Sequence, residues 1–189
     1  YQGKIVKIIG HKDDPGVDIL SIAAHYNIFD EFPKEVIEQL ENVPEEVSEK
    51  EKLGRKDFRD KMIFTIDGDD TKDIDDAISI DVLPNGNYSL GVHIADVSYY
   101  VKEGTPLYEE ALTRGTSSYL ADRVIPMLPH QLSNGICSLN PEVDRLAISC
   151  IMEIDDKGNN VSSEIFESVI RSRKQMTYKN VNKIIEEDI

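Results

Sequence analysis

Residues 62–82 read MIFTIDGDDTKDIDDAISIDV, with aspartates at 67, 69, 70, 73, 75, 76 and 81. A short apolar run, 63–66, delivers Asp67 at its end, and Gly68 lets the backbone turn sharply there. Asp73, Asp75 and Asp76 follow Asp67 at offsets of six, eight and nine before a second apolar run begins. A loop that folds back between two adjacent strands brings such side chains together at the first strand's end. Four carboxylates gathered there repel one another and raise one another's pKa values. Divalent metal relieves that repulsion: two hard cations about 4 Å apart share such a cluster, with oxygen ligands and a few waters, as in nucleases and polymerases. An all-oxygen donor set asks for Mg²⁺, with Mn²⁺ as a substitute, rather than Zn²⁺.

Three other readings compete. A charge run is often only a solvated loop, and Asp69 and Asp70 fit that description. A calcium loop of the EF-hand type requires D-x-D-x-D-G and an acid at position twelve. Counted from Asp67, position five is Thr71, six is Lys72 and twelve is Ile78, so the pattern fails three times. DGDDT is also D-x-D-x-T, the nucleophile signature of haloacid-dehalogenase-like phosphohydrolases, whose first Asp attacks phosphorus. That class needs a downstream GDxxxD-like acidic motif and parallel βαβ units. No such motif follows, and the downstream pattern reads as hairpins.

The elements that must hold these residues are legible in outline. Residues 3–10, GKIVKIIG, alternate like a strand. VDILSIAAHYNI and PKEVIEQLENV read as short amphipathic helices, the second opening at Pro33 with Val36, Ile37 and Leu40 on one face. Residues 44–60 are mostly charged and mark a solvated helix or linker at a boundary. Strands follow at 63–66 and 77–83, then a PNGN turn and a return strand at 88–97. GTPLYEEALTRG predicts a helix with Thr105 as N-cap, Pro106 at the first helical position and Gly115 past its end. Residues 145–154 and 161–172 flank DDKGNN as a second hairpin, and TYKNVNKIIEE closes the chain as a helix. Strand pairs with inserted helices predict an α+β fold with an antiparallel or mixed sheet and flanking helices.

The bulk numbers bound the function. The chain has 189 residues, 40% hydrophobic and 30% charged, with no apolar run long enough to span a membrane. It opens at Tyr1 with no leader, which predicts an excised piece of a longer cytoplasmic protein. The net charge of −15 argues against nucleic acid as a partner unless cations or a local positive channel meet the phosphates. Cys137 and Cys150 form no CxxC and read as reduced thiols; the four histidines form no HxH or HExxH.

TIDGDDTKDIDDAISI, then GVHIADVSYYV, then SSYLADRVIPMLPHQLSNGICSLNP together resemble the start of the catalytic (RNB) domain of the ribonuclease II/ribonuclease R exoribonucleases. GHKDDPGVDILSIAAHYNI upstream is similar to the stretch before that domain in bacterial ribonuclease R. The resemblance implies residues 1–10 as the last strand of a cold-shock, OB-fold barrel. It implies 11–60 as a helical connector and 61–189 as the N-terminal part of the catalytic domain. It implies processive hydrolysis of single-stranded RNA from the 3′ end, releasing nucleoside 5′-monophosphates by a two-metal Mg²⁺ mechanism. By position, Asp67, Asp73, Asp75 and Asp76 match the family's catalytic and metal-binding acids. Asp67 and Asp76 are then direct ligands, Asp75 helps hold the second metal and is the most damaging to lose, and Asp73 acts through water or by fixing the loop. Tyr119 matches a tyrosine that stacks on a base, and Arg114 and Arg123 beside it are candidates for phosphate contacts. His93 and Asp96 read as structural. The family's domain runs past Ile189, so this piece alone is expected to be weak or inactive.

Overall fold

The computed structural model describes residues 3–5 and 7–187. The chain divides into two compact units: residues up to Glu41 with Glu103–Pro129, and Asn42–Lys102 with the residues from His130 on.

The first unit holds helices α1 (Val17–His25) and α2 (Lys34–Leu40). Val36 and Leu40 of α2 are buried, while Ile37, expected on the same face, is half exposed. A segment from 103 to 129 completes this unit. Its helix α5 (Pro106–Arg114) begins and ends where the sequence predicts: Thr105 Oγ1 accepts the Tyr108 N–H at 3.3 Å, and Gly115 closes the helix at φ 71°. A small hairpin, β5 (Ser118–Tyr119) with β6 (Val124–Ile125), follows. The strand expected at 3–10 is not formed among its described residues, and Val6 lies outside them. Ile5 and Ile8 are over 80% exposed. Alternation alone does not make a strand, which needs a neighbour for its N–H and C=O groups.

The second unit is one seven-stranded mixed sheet. Its strands are β1 (Lys56–Asp57), β2 (Ile63–Asp67), β3 (Asp76–Val82), β4 (Tyr88–Ala95), β7 (Asp144–Ile154), β8 (Asn160–Arg171) and β9 (Lys174–Thr177). Their order is β1-β8-β7-β4-β3-β2-β9, parallel at the two outer pairs and antiparallel between. Helices α3 (Glu49–Lys52), α4 (Val97–Tyr100) and α6 (Tyr178–Glu187) flank it. Residues 11–60, expected as one helical connector, are in fact shared between the units. Phe58 packs into the sheet's core, and the Phe58 N–H donates to the Val169 carbonyl at 2.9 Å. Burial of one aromatic side chain outweighs the charged composition around it. The largely antiparallel arrangement gives no support to an aspartyl-phosphate hydrolase, whose parallel βαβ units are absent among the described residues.

One face of this sheet is covered. Ile63, Ala77, Ala95, Ala147 and Ile170 present it, and Phe58, Ile74 and Leu139 pack on it. Small residues on the central strands leave room there for a polar row. The His93 ring is fully buried, with Nε2 3.0 Å from Ser79 Oγ and Nδ1 2.6 Å from Ser149 Oγ. Ser149 Oγ lies 2.6 Å from Ser168 Oγ, and Ser168 donates to the Ala147 carbonyl at 3.0 Å. A Cβ at Gly91 would overlap Ser79 Oγ, so only glycine fits beside this row. Asp96 pairs with Arg55 at 2.6 Å, both nearly buried. His93 and Asp96 are therefore structural, as the sequence reading has them. Both cysteines are free thiols, and burial pushes Cys137 up to about 12.

Burial, helped by the Lys61 charge, lowers the His93 pKa from 6.5 to about 4. The unfolded imidazole takes a proton first, so the stability this site gives is complete above pH 6.5 and is lost as pH falls toward 4. His93→Gln keeps hydrogen-bonding capacity and removes the titration. Urea unfolding from pH 7 to 4 is expected to show the unmodified chain losing up to about 3 kcal/mol more than this variant. Equal losses would contradict the assignment.

Candidate active site

The aspartate segment is the loop between β2 and β3, which pair antiparallel through Ile63↔Ser79 and Phe64↔Ile78. Asp67 is the last residue of β2 and is fixed on its other side by β9, where it sits in register with Thr177. Asp76 is the first residue of β3 and sits opposite Ile94 of β4. The two outer members of the set are thus placed by sheet register. Thr65 and Asp67 alternate onto the covered face beyond Ile63.

The inner members, Asp73 and Asp75, flank Ile74, whose side chain is fully buried in the core. The Ile74 backbone is held at both ends: its N–H donates to Ser138 Oγ at 3.1 Å, and its carbonyl accepts the Leu139 N–H at 2.9 Å. One residue on, the Asp75 carbonyl accepts the Ala95 N–H at 2.9 Å. At the loop's start, the Thr71 N–H donates to the Gly68 carbonyl at 3.3 Å, and the Gln175 side chain donates to the Thr71 carbonyl at 3.1 Å. Asp69 and Asp70 point into solvent, and Asp69 pairs with Lys179 of α6, which fits the solvated reading for those two.

The four remaining carboxylates act on one another. Burial raises the Asp67 pKa, and the charges of Asp76 and Asp73 raise it further; the Thr65 hydroxyl nearby works in the opposite direction. Asp75 is more open to solvent, yet the protein around its carboxyl, then Asp73, Asp76 and Asp67, raise its pKa too. Asp67 Oδ2 and Thr65 Oγ1 are buried atoms with no hydrogen-bond partner. A buried carboxylate oxygen without a donor is costly. Among the described residues no three acidic, histidine or cysteine side chains enclose a position for an ion by themselves. The cluster is open, not a closed cage. That suits Mg²⁺, which binds through one or two carboxylates and completes its octahedron with water and substrate phosphate. The residues present offer the hard oxygen donors such a cation takes, and Asp67 Oδ2 is the one among them without a hydrogen-bond donor.

Tyr119, Arg114 and Arg123 belong to the other unit. Tyr119 lies on β5 with 70% of its surface exposed. Arg114 is engaged inside its own unit: it donates to Glu110 at 2.8 Å and to the carbonyls of Pro126 and Glu31, and it stacks 3.8 Å above the Phe32 ring. Those contacts make it a brace of that unit. Arg123 pairs with Asp122 at 2.9 Å. Sequence reading missed Ile74, Ser138 and Gln175. A lone serine or glutamine has no spacing that marks it, although Ser138 falls within the last block quoted for the resemblance.

Comparison with known families matches residues 55–189 to the RNB domain and residues 1–33 to the cold shock domain. Ribonuclease R 1 of Lactococcus lactis is 55% identical across 99% of this chain, which covers 23% of that protein. Ribonuclease R of Thermotoga maritima is 54% identical over 98% of the chain and 26% of the relative. Among solved structures, Mycoplasma genitalium RNase R in complex with double-stranded RNA superposes with a TM-score of 0.87 at 33% identity, over 96% of this chain and 32% of that one. The chain spans about a quarter of the length of the curated relatives it matches.

The raised carboxyls have a consequence for stability. Folded Asp67 and Asp75 hold a proton more tightly than their ordinary value of 3.8. The stabilisation this gives is present below that pH and is lost as pH rises through the raised folded values. At pH 7 without divalent cations, Asp67→Asn is expected to raise the thermal midpoint by roughly 2–5 °C. A lower midpoint would show that the carboxylate is satisfied by something other than a cation.

Proposed function

This chain belongs to the RNB domain family, and from that premise we propose that it carries the cation-binding carboxylates of a hydrolytic 3′–5′ exoribonuclease. Its substrate would be the 3′ end of single-stranded RNA and its products nucleoside 5′-monophosphates. The observation that carries the reading is the buried, unpartnered Asp67 Oδ2 at the head of four mutually repelling carboxylates. The relatives are named as ribonucleases, which supports RNA as the substrate class.

Asp67 and Asp76, set by the sheet, would be the direct ligands of Mg²⁺ or Mn²⁺. Asp75 would help hold a second ion, and Asp73 would act through water or by fixing the loop. Bound there, the cations would lower the pKa of an attacking water and offset the charge developing on the scissile phosphate and the departing 3′ oxygen. The carboxylates contribute the negative charge that gathers those ions and the rigid backbone that spaces them. Phosphate affinity in a chain of net charge −15 then comes from locally bound cations rather than from a basic surface. Tyr119, exposed on a hairpin, has the ring needed to stack on a base. Stacking suits a sequence-tolerant enzyme, since every base offers a π-face. Arg123 is the remaining candidate for a phosphate contact.

Because the chain spans about a quarter of its relatives' length, by itself it is expected to cleave RNA weakly or not at all. The test therefore places this sequence within a full-length protein of the family. Asp75→Asn is expected to lower kcat for nucleoside monophosphate release by at least about 100-fold, with KM for RNA little changed. Turnover within a few-fold of the unmodified enzyme would overturn the proposal. A covalent phosphoenzyme on Asp67 would replace it with the aspartyl-phosphate mechanism.

A further inference from the structure

The stretch that carries Asp73 and leads into Asp75 is gripped by one serine, beside the bond from the Ala95 N–H of β4 to the Asp75 carbonyl. Ser138 is completely buried, and its hydroxyl works in both directions. It accepts the Ile74 N–H at 3.1 Å and donates to the Lys72 carbonyl at 2.8 Å. The next residue completes the grip, since the Leu139 N–H donates to the Ile74 carbonyl at 2.9 Å. Residues 72–74 are thereby bound to 138–139 through three hydrogen bonds within the core. Asp73 lies inside the span bridged by the hydroxyl, and Asp75 follows it directly.

Ser138 is itself fixed from behind. Its carbonyl accepts Arg145 Nε–H at 2.8 Å, and Arg145 Nη2 donates to the Gly135 carbonyl at 3.1 Å. Arg145 belongs to β7 and is nearly buried. Gly135 is the non-helical kink in the segment Gln131–Ile136, whose Leu132 and Ile136 are buried. The arrangement runs from the sheet through Arg145 to Ser138 and on to the aspartate loop. A loop of eight residues, 68–75, carrying four aspartates has strong repulsion to spread it and little apolar surface besides Ile74 to hold it.

We infer that Ser138 is a positioning residue for the cation site: its two-way hydrogen bond fixes the spacing of Asp73 and Asp75, and Arg145 fixes Ser138. The inference rests on the reading of the four carboxylates as a divalent-cation site. Ser138 touches neither cation nor RNA. It acts by keeping the inner carboxylates where the sheet-borne pair, Asp67 and Asp76, can share ions with them.

The test is calorimetric titration of Mn²⁺ into the 189-residue chain, beside hydrogen exchange at the Ile74 amide. Ser138→Ala removes both side-chain bonds and leaves the volume nearly unchanged. It is expected to weaken Mn²⁺ binding by roughly 10- to 100-fold, the usual effect of removing a group that orients ligands. The Ile74 amide is expected to exchange faster while the amides of β4 and β7 stay protected. Ser138→Cys, with a weaker donor of similar size, should fall between; if the alanine variant does not fold, the cysteine variant alone should still weaken binding several-fold. In the full-length setting, the loss should fall on kcat and on the Mg²⁺ concentration needed for half-maximal rate, with KM for RNA unchanged. Mn²⁺ affinity equal to the unmodified chain's would overturn the inference. So would equal loss of protection across the whole sheet, which would mark a general folding role. Asp67→Asn separates the two levels: if it too leaves Mn²⁺ binding intact, the cation-site reading itself fails. If it abolishes binding while Ser138→Ala does not, only the role of Ser138 fails.

Discussion

Like charge held close on a fixed backbone is the constraint on which this structure turns. Asp67, Asp73, Asp75 and Asp76 repel one another, as the raised pKa values of Asp67 and Asp75 record. Left to themselves they would spread into water. The two ends of the segment are locked in a sheet and its middle is bonded to the core, while Asp75 and Asp76 stay exposed. Asp67 is held in register with Thr177 on one side of β2, and Asp76 begins a strand paired along its whole length with β4. Ile74 adds a fully buried apolar side chain between two carboxylates. Fixing such residues costs stability, a pattern expected where a site must meet a charged ligand.

The remainder of the second unit follows from that requirement. Its central strands put alanine and serine on the covered face, so loop residues and the His93 row can lie close against it. Each polar group in the row has a partner, which makes the row rigid instead of costly. Against this background Asp67 Oδ2, Thr65 Oγ1 and the Tyr100 hydroxyl are buried without a hydrogen-bond partner among the described residues. Of the groups acting on the Asp67 carboxyl, the Thr65 hydroxyl favours its charged form, while burial and the charges of Asp76 and Asp73 oppose it.

Much of this was legible in the sequence, for identifiable reasons. The hairpins β3–β4 and β7–β8 carry strong turn signals, PNGN and DDKGNN, between apolar runs. The cap residues of α5 are spelled out by Thr105, Pro106 and Gly115. The spacing of the four aspartates, at offsets of six, eight and nine from Asp67, singled them out for a site that the proposed function takes up. Less visible were features that depend on distant partners. β1 and β9 are short parallel strands defined by their neighbours β8 and β2. Phe58 sits in a charged stretch and reads as linker until the sheet supplies a core for it. Residues 3–10 alternate like a strand, but their described members form no ladder. Arg114 looks available beside Tyr119, yet its guanidinium is engaged within its own unit. Ser138 is invisible locally, because its role depends on a loop more than 60 residues away.

The central claim is that divalent cations relieve the repulsion at the end of β2 that the Thr65 hydroxyl only partly offsets. The most direct measurement is anomalous X-ray scattering from crystals of this chain grown with Mn²⁺. The account requires at least one manganese peak within about 2.3 Å of Asp67 Oδ2, with Asp76, Asp75 or Asp73 oxygens or their bound waters completing the shell. A well-ordered loop with Asp67 Oδ2 still bare, and manganese absent or bound only at surface acids elsewhere, would contradict it.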